Sequence, residues 1–295
     1  MFTNFKTFYI DVEPGITIHG VKGGSGPALL LLHGYPQTAM IWHHVADELA
    51  SQYTVVALDL RGYGMSSKPA GDESHKAYSK SVMARDCVTV MTELGIPEFY
   101  LCGHDRGARV AHKLCVDYPQ SVTKVMLLDI CPTLAMYNKT NFQFAKAYFH
   151  WFFLIQKAPI PEDMINHDPV KFTEGMLNRH PQGLQIFHPD ALKAYLEPMK
   201  QPETVHATCE DYRAGATIDL EEAEGDIKNG RHIQCPLMVL YGNDGIVGKC
   251  FDVQAEWTAV HATGEVDVRT AYCGHYIPEE LPEVTLGCIR EFFSV

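Results

Sequence analysis

The first half of the chain alternates short apolar runs with longer amphipathic segments. Segments 81–95 and 108–119 carry apolar residues at helical spacing, and Gly95 and Pro119 mark their ends. Strands buried on both faces are predicted at PALLLLHG (27–34), YTVVALDL (53–60), EFYLCGH (98–104) and KVMLLDI (124–130). Strands that alternate with helices predict a parallel sheet covered by helices on both faces.

This pattern is interrupted after residue 132. Residues 133–212 are rich in aromatic residues, His, Pro and Met, and contain no run that resembles a buried strand. Strand-like runs return at CPLMVLYG (235–242) and EVDVRTAY (265–272), before a final helical segment. The predicted architecture is an α/β core made of residues 1–132 and 213–295, with a helical cap at 133–212 inserted between two of its strands.

Composition narrows the class of protein. The 295 residues are 46% hydrophobic and 20% charged, as in an ordinary globular protein. A formal net charge of −12 argues against nucleic acid or an anionic membrane as a partner. No segment is apolar for long enough to span a membrane, and the start of the chain lacks a secretory pattern. We therefore expect a soluble cytoplasmic protein with nine reduced, mostly buried cysteines.

The sequence Gly103-His104-Asp105-Arg106-Gly107 follows a predicted buried strand and precedes a predicted helix. It fits the pattern G-x-nucleophile-x-G, in which glycines flank a strained turn that exposes the nucleophile. Asp105 is therefore the candidate nucleophile. An aspartate that only caps the following helix is the simpler structural alternative, and the surrounding motifs disfavour it.

Two other motifs complete a catalytic pattern. His33-Gly34-Tyr35-Pro36 follows the strand 27–34, where the backbone N–H of Tyr35 could form an oxyanion hole with that of Arg106. His275 follows the last predicted strand, and the order of nucleophile first and histidine last is that of α/β-hydrolases. Asp129 and Asp244 each follow a strand, so either could orient this histidine.

Several stretches together resemble the haloacetate and fluoroacetate dehalogenase family of α/β-hydrolases. They are HGYPQ, LDLRGYGMSS, GHDRGARVAHKLCVDYP, LLDICPT, FHWFFL, EDYRAGA and GHYIPEE, and they cover nearly the whole chain. The resemblance implies an α/β-hydrolase fold and a homodimer. It also implies that Asp129 is the acid partner of His275, and that His150, Trp151 and Tyr212 bind the halide. From the residues alone, FHWFFL is more typical of an aromatic core helix.

Arg106 and Arg109 lie one helical turn apart and are suited to hold a carboxylate beside Asp105. The predicted function is hydrolysis of small 2-haloacids, such as haloacetates, through an aspartyl ester. The predicted substrate is a small anion, and no metal or organic cofactor is required. An epoxide hydrolase with the same Asp and His is the alternative. Related epoxide hydrolases usually have Trp at the position of Arg106, although four cap tyrosines could serve as acids: Tyr137, Tyr148, Tyr195 and Tyr212. A binding protein without catalytic activity is a further alternative.

Overall fold

The computed structural model describes residues 2–179 and 182–294. Within them, eight strands form one sheet with the spatial order β1-β2-β4-β3-β5-β6-β7-β8. The strands are β1 (Lys6–Glu13), β2 (Ile16–Gly24), β3 (Ala28–Leu32), β4 (Thr54–Leu58), β5 (Phe99–His104), β6 (Val122–Leu128), β7 (Leu237–Gly242) and β8 (Val266–Ala271). Strands β3 to β8 are mutually parallel, which confirms the predicted parallel sheet.

The first two strands form an antiparallel hairpin that the hydrophobic pattern did not indicate. β1 pairs with β2, and β2 pairs antiparallel with β4. β1 (KTFYIDVE) lies at the edge of the sheet, and its residues are exposed or half-buried. It lacks a continuous apolar run because only one of its faces, which carries Phe8, Ile10 and Val12, packs against the apolar core.

The described residues also contain fifteen α-helices and three short 3₁₀ helices. The α-helices are α1 (Ala46–Leu49), α2 (Lys80–Glu93), α3 (Arg106–Asp117), α4 (Thr133–Asn138), α5 (Phe142–Ala147), α6 (Phe149–Leu154), α7 (Ile160–Asn166), α8 (Pro169–Leu177), α9 (Pro189–Met199), α10 (Pro202–Gly215), α11 (Ile218–Lys228), α12 (Ile246–Cys250), α13 (Val253–Thr258), α14 (Ile277–Glu280) and α15 (Pro282–Phe292). The 3₁₀ helices are Ala39–Trp42, Lys76–Tyr78 and Gly183–Ile186.

Helices α4 to α11 all lie between β6 and β7, where the sequence predicts the cap. The predicted end of the cap at residue 212 falls inside α10 (Pro202–Gly215). The division of the chain into a core and a cap therefore stays a prediction, and residues 1, 180, 181 and 295 of the predicted ranges lie outside the described residues. Below, "cap" means residues 133–228.

The central strands are buried on both faces, because successive side chains of a strand point to opposite sides. Leu30 and Leu32 of β3 join one buried apolar cluster, and Leu29 and Leu31 join another. The first cluster continues into the cap, where it includes Trp151. The cap is thus packed against the core through a shared apolar cluster.

Two further sequence expectations can be compared with the structure. All nine cysteines are free thiols, and six of them are buried, as predicted. Among the residues that the structure describes, no helix combines the length and the apolar character that a membrane crossing requires.

Candidate active site

Asp105 occupies the turn between β5 and α3, with φ 47° and ψ −114°. This backbone conformation is strained for a residue with a Cβ, and it is supported by close packing around the turn. A Cβ on Gly34 would lie 2.4 Å from the Cβ of Asp105, and one on Gly107 would lie 2.3 Å from the carbonyl oxygen of His33. The glycines of the two motifs are therefore needed for the nucleophile turn to approach the end of β3.

The two backbone N–H groups predicted to form an oxyanion hole belong to Tyr35 and Arg106. The backbone N–H of Tyr35 donates to Oδ1 of Asp105 at 3.0 Å. Arg106 is the first residue of α3, so its N–H has no acceptor within the helix. His33 holds the loop in place, because its Nε2 accepts from the N–H of Leu60 at 3.0 Å while its Nδ1 lies 2.9 Å from the carbonyl oxygen of Gly34.

His275 lies between two carboxylates. Its Nδ1 is 2.6 Å from Oδ2 of Asp129, and its Nε2 is 3.7 Å from Oδ2 of Asp105. The other oxygen of Asp129 accepts from the N–H of Gly242 at 3.0 Å. Asp244, the alternative acid, follows β7 and is exposed. Among the described residues, the carboxylate that contacts Nδ1 of His275 is that of Asp129 and not that of Asp244. The geometry therefore favours Asp129 as the residue that orients His275.

The loop that carries His275 is held on both sides. The carboxylate of Glu280 accepts from the N–H groups of Gly274 at 2.6 Å and Tyr276 at 2.8 Å, which flank His275 in the sequence. The Nε2 of His104 lies 2.7 Å from the carbonyl oxygen of His275. Burial lowers the pKa of His104 to about 3, and the neighbouring His275 adds to this effect. His104 is thus a neutral hydrogen-bond donor that supports the loop.

Electrostatics keep Asp105 ionised. Burial on its own raises the pKa of this carboxyl group, but His275, Arg109 and Arg106 lower it by a larger amount in total. The net result is a pKa below the ordinary value for aspartate. A buried carboxylate that remains charged at neutral pH is available as a nucleophile.

Arg106 and Arg109 have different partners. The Nε and Nη2 of Arg106 donate to the carboxylate of Asp211 at 2.8 and 2.9 Å, and Nη2 also donates to its carbonyl oxygen at 2.6 Å. Asp211 in turn accepts from Lys80 and from the hydroxyl group of Tyr63. The sequence did not reveal Asp211, although it stands in the quoted motif EDYRAGA. Of the three guanidinium nitrogens of Arg106, Nη1 is the one that makes no hydrogen bond to a described residue.

Arg109 is buried without a carboxylate partner among the described residues. Its Nη1 donates to the carbonyl oxygen of Cys131 at 3.2 Å and to Oγ1 of Thr133 at 2.9 Å. Its Nε is buried and has no acceptor among the residues that the structure describes. Burial and the nearby charge of Arg106 lower the pKa of Arg109 from its ordinary value. An anion beside this guanidinium would offset both effects.

The three predicted halide-binding residues lie together. The ring of His150 is 5.7 Å from that of Tyr212, and the ring of Trp151 is 6.3 Å from it. His150 stacks on Tyr35 at 6.1 Å, which brings the cluster to the oxyanion loop. Trp151 Nε1 is buried and has no acceptor among the described residues. The cap therefore presents hydrogen-bond donors in an aromatic, largely dry setting.

Comparisons with known proteins agree with this geometry. Residues 27–281 match the model of the family described as "alpha/beta hydrolase fold". This chain is an α/β hydrolase. It is 44% identical to fluoroacetate dehalogenase from Burkholderia sp, over 100% of this chain and 95% of that protein.

More distant relatives of this α/β hydrolase include epoxide hydrolases. The soluble epoxide hydrolase of Corynebacterium sp. (strain C12) is 28% identical over 95% of this chain and 94% of that protein. Among solved structures, a provisionally assigned α/β hydrolase from Nostoc sp PCC 7120 superposes with a TM-score of 0.96 at 50% identity, covering 100% of this chain and 99% of that one.

Arg179 is a site residue of this α/β hydrolase that sequence reasoning missed. Its side chain is exposed, its Nη1 lies 3.5 Å from Nδ1 of His150, and its guanidinium lies 5.6 Å from the ring centre of Tyr148. It lines a cleft that also reaches His275. Only the folded cap brings it there, because nothing in the local sequence distinguishes it from an ordinary surface arginine.

The four tyrosines of the epoxide alternative are in different positions. The hydroxyl group of Tyr148 is 3.4 Å from Nδ1 of His275. The hydroxyl group of Tyr195 donates to Glu279. Tyr212 lies against Arg106, whose Cζ is 4.2 Å from its ring centre, and the buried hydroxyl group of Tyr137 has no partner among the described residues.

Proposed function

We propose that this α/β hydrolase is a hydrolytic dehalogenase of small 2-haloacids that converts haloacetates, including fluoroacetate, to glycolate and halide. The observation that carries the proposal is an ionised Asp105 at the nucleophile turn, with the buried and unpaired Arg109 on the adjoining helix. The 44% identity to fluoroacetate dehalogenase over the whole chain supports the same reaction.

In the first proposed step, Oδ2 of Asp105 attacks the carbon that carries the halogen. The new C–O bond forms as the C–halogen bond breaks, and the halide leaves with the bonding electron pair. Oδ1 already accepts from the N–H of Tyr35, so Oδ2 is the oxygen free to attack. Arg109 and Nη1 of Arg106 hold the substrate carboxylate, which places the neighbouring carbon against Asp105.

The departing halide is received by His150, Trp151 and Tyr212. Burial, reinforced by Arg179, holds the pKa of His150 well below its ordinary value. Because Arg179 donates toward Nδ1, the single proton of this neutral ring lies on Nε2, which can donate to an anion. The N–H of Trp151 supplies a second donor.

In the second proposed step, His275 removes a proton from water, and the resulting hydroxide attacks Cγ of Asp105. The carbonyl oxygen of the ester becomes an oxyanion, which the N–H groups of Tyr35 and Arg106 stabilise. Collapse of this intermediate breaks the bond from Cγ to the alkoxy oxygen, and His275 returns its proton to that oxygen, which releases glycolate. The carboxyl group of Asp105 then loses its proton to solvent and becomes a carboxylate again. Asp129 stabilises the protonated form of His275 during the step.

Epoxide hydrolysis is the second candidate. It is favoured by the hydroxyl group of Tyr148 close to His275, where it could protonate an opening ring oxygen. Arg109 counts against it, because a neutral epoxide would leave this buried guanidinium without a counter-charge.

The test is to incubate the purified protein separately with fluoroacetate, chloroacetate and a styrene-type epoxide. Halide is followed with an ion-selective electrode, and diol by chromatography. Halide release without diol is expected, and the ratio of fluoride to chloride release then defines the leaving-group preference. Formation of diol without halide would overturn the proposal.

A His275→Asn variant tests the aspartyl ester directly. It should release one halide per active site and then stop, because the ester can form but water is not activated. Intact-mass and peptide analysis should find one carboxymethyl group on Asp105. A protein that only binds haloacetate would release no halide and carry no adduct.

We also propose that the enzyme is a cytoplasmic homodimer without a required cofactor. The homodimer follows from the family resemblance, and the location from the composition of the chain. Analytical ultracentrifugation of the purified protein tests the first, and cell fractionation tests the second. A monomer at micromolar concentration would contradict the homodimer.

A further inference from the structure

Two adjacent histidines face one carboxylate at a junction outside the active site. His43 and His44 follow the 3₁₀ helix Ala39–Trp42, and their ring centres are 3.8 Å apart. The Nε2 atoms of His43 and His44 lie 3.0 and 3.9 Å from the same oxygen, Oε2 of Glu279. Two imidazoles therefore direct nitrogen atoms toward a single buried carboxylate oxygen.

The carboxylate of Glu279 is fully buried, and its second oxygen accepts from the hydroxyl group of Tyr195. His43 is almost fully buried, whereas 37% of the side chain of His44 is exposed. The group therefore has a rigid inner side, fixed by a neighbouring hydrogen bond, and a side open to solvent. Metal sites in proteins have this character, because surrounding hydrogen bonds orient the ligands.

The side chains of His43, His44 and Glu279 are a set of ligands that is typical of zinc sites. One ligand atom from each of His43, His44 and Glu279 can be chosen so that all three lie within 4.8 Å of one another. Two imidazoles and one carboxylate bind Zn²⁺ in protein sites that keep a fourth position for water. Within the residues that the structure describes, this is the one group of its kind.

We propose that His43, His44 and Glu279 form a binding site for a divalent transition-metal ion of the Zn²⁺ class, with solvent as the remaining ligand. This site is separate from the reaction proposed above. A nitrogen from each histidine and an oxygen of Glu279 would coordinate the ion, while Tyr195 keeps its hydrogen bond to the other oxygen.

The position of the site gives the ion a structural effect. Glu279 lies in α14, which directly follows the loop of His275, and Tyr195 lies in α9 of the cap. The histidines belong to the core segment after the oxyanion loop. A bound ion would therefore stabilise the junction of these three segments, and the folded protein would gain stability with increasing metal concentration.

A third histidine nearby supplies a matched control. The ring centre of His188 is 5.8 Å from that of His43. Its Nδ1 accepts from the N–H of Asp190 at 3.2 Å, and His188 is not one of the three residues whose ligand atoms converge. Asn at this position is a good helix N-cap, so His188→Asn should fold normally.

The experiment is calorimetric titration of Zn²⁺ into the chelator-treated, full-length protein carrying no histidine tag. Wild type and His188→Asn should each bind one ion with saturation, and the melting temperature should rise with metal. His44→Asn, which removes the exposed ligand, should weaken binding by about tenfold or more. Absorption spectra with Co²⁺ should show nitrogen and oxygen ligation.

Three results would overturn the site. They are the absence of saturable binding to the wild type, unchanged binding by His44→Asn, and thiolate-to-cobalt charge-transfer absorption, which would place the ion on cysteines. Circular dichroism of His44→Asn excludes misfolding as the cause of lost binding. None of these measurements depends on dehalogenation, so the two proposals fail independently.

Discussion

The core and the cap contribute to the active site in different ways. Core groups are held by short hydrogen bonds to backbone: Tyr35 donates to Asp105, Gly242 donates to Asp129, and Glu280 accepts from both sides of His275. Cap groups are held mainly by ring contacts, such as those among His150, Trp151 and Tyr212. One of them, Trp151 Nε1, is a buried donor without an acceptor among the described residues.

This difference indicates that the core and the cap have different roles in the reaction. Hydrogen bonds from strand ends set the position and charge of the reacting groups within tenths of an ångström, which nucleophilic attack requires. Ring packing fixes the shape of a pocket and leaves donors available for an incoming anion. We therefore expect core substitutions to abolish chemistry, and cap substitutions to change the choice of leaving group or the capture of substrate.

The largest expected effect is that of Asp105→Ala. Loss of the nucleophile should reduce halide release from chloroacetate by about four orders of magnitude or more, while leaving the fold intact. Steady-state halide release measures it. Asp244→Ala removes the exposed carboxylate after β7 and should retain nearly full activity. Equal losses of activity in both variants would contradict the assignment of Asp105 as the nucleophile.

Substitution of Arg106 should mainly lower stability, whereas substitution of Arg109 should mainly weaken substrate binding. Arg106→Gln leaves the buried Asp211 without its main partner and should lower the free energy of unfolding by about 3–5 kcal/mol. Arg109→Gln breaks no ion pair within the described residues and should instead raise KM for haloacetates by about 10- to 100-fold. Urea unfolding and steady-state kinetics measure the two effects. A reversed pattern would show that Arg106 contributes more than Arg109 to holding the substrate carboxylate.

Trp151→Phe tests the cap as a halide site. The variant keeps the ring and loses the N–H, so the departing halide loses a hydrogen bond to a charged acceptor, worth about 1.5–3 kcal/mol. Fluoride release should fall by about tenfold or more, and bromide release should fall less, because fluoride accepts stronger hydrogen bonds. Equal losses for all haloacetates would indicate a packing role.

Acid should destabilise the core through His104. Its pKa of about 3 lies below the ordinary 6.5, so between these pH values the unfolded chain binds a proton that the folded chain does not. Stability should therefore fall as pH falls from 6.5, by about 1.4 kcal/mol per pH unit for this histidine. Urea unfolding from pH 5 to 7 measures it. His104→Gln can keep the hydrogen bond to the carbonyl oxygen of His275 and should make stability depend less steeply on pH. If the dependence of stability on pH does not change, His104 is not its cause.

The smallest expected effect is that of Arg179→Gln. Because the whole protein is strongly acidic, an exposed arginine beside the cleft should attract the anionic substrate. Gln removes the charge but keeps an N–H donor for Nδ1 of His150. The variant should therefore lower kcat/KM by about threefold to tenfold at low ionic strength, with kcat nearly unchanged, and the difference should vanish at high salt. Lys249→Gln removes a charge from the same cleft and serves as the control. A salt-independent loss would indicate a contact role.

Local patterns in the sequence determined the framework of this protein. The apolar runs predicted strands β3 to β7, because strands buried on both faces need continuous apolar side chains. The glycines around Asp105 predicted its strained turn, since larger residues would collide there. Motif order, together with the family resemblance, pointed to His275 and Asp129.

Only the tertiary structure decided how the charges are paired. Asp211 is 105 residues from Arg106, and Asp129 is 146 residues from His275, so no local pattern could pair them. The same holds for Arg179 beside His150 and for Glu279 beside His43 and His44. Hydrophobic periodicity reports which face of an element is buried, whereas the partner of a buried charge depends on which distant elements meet in the folded chain.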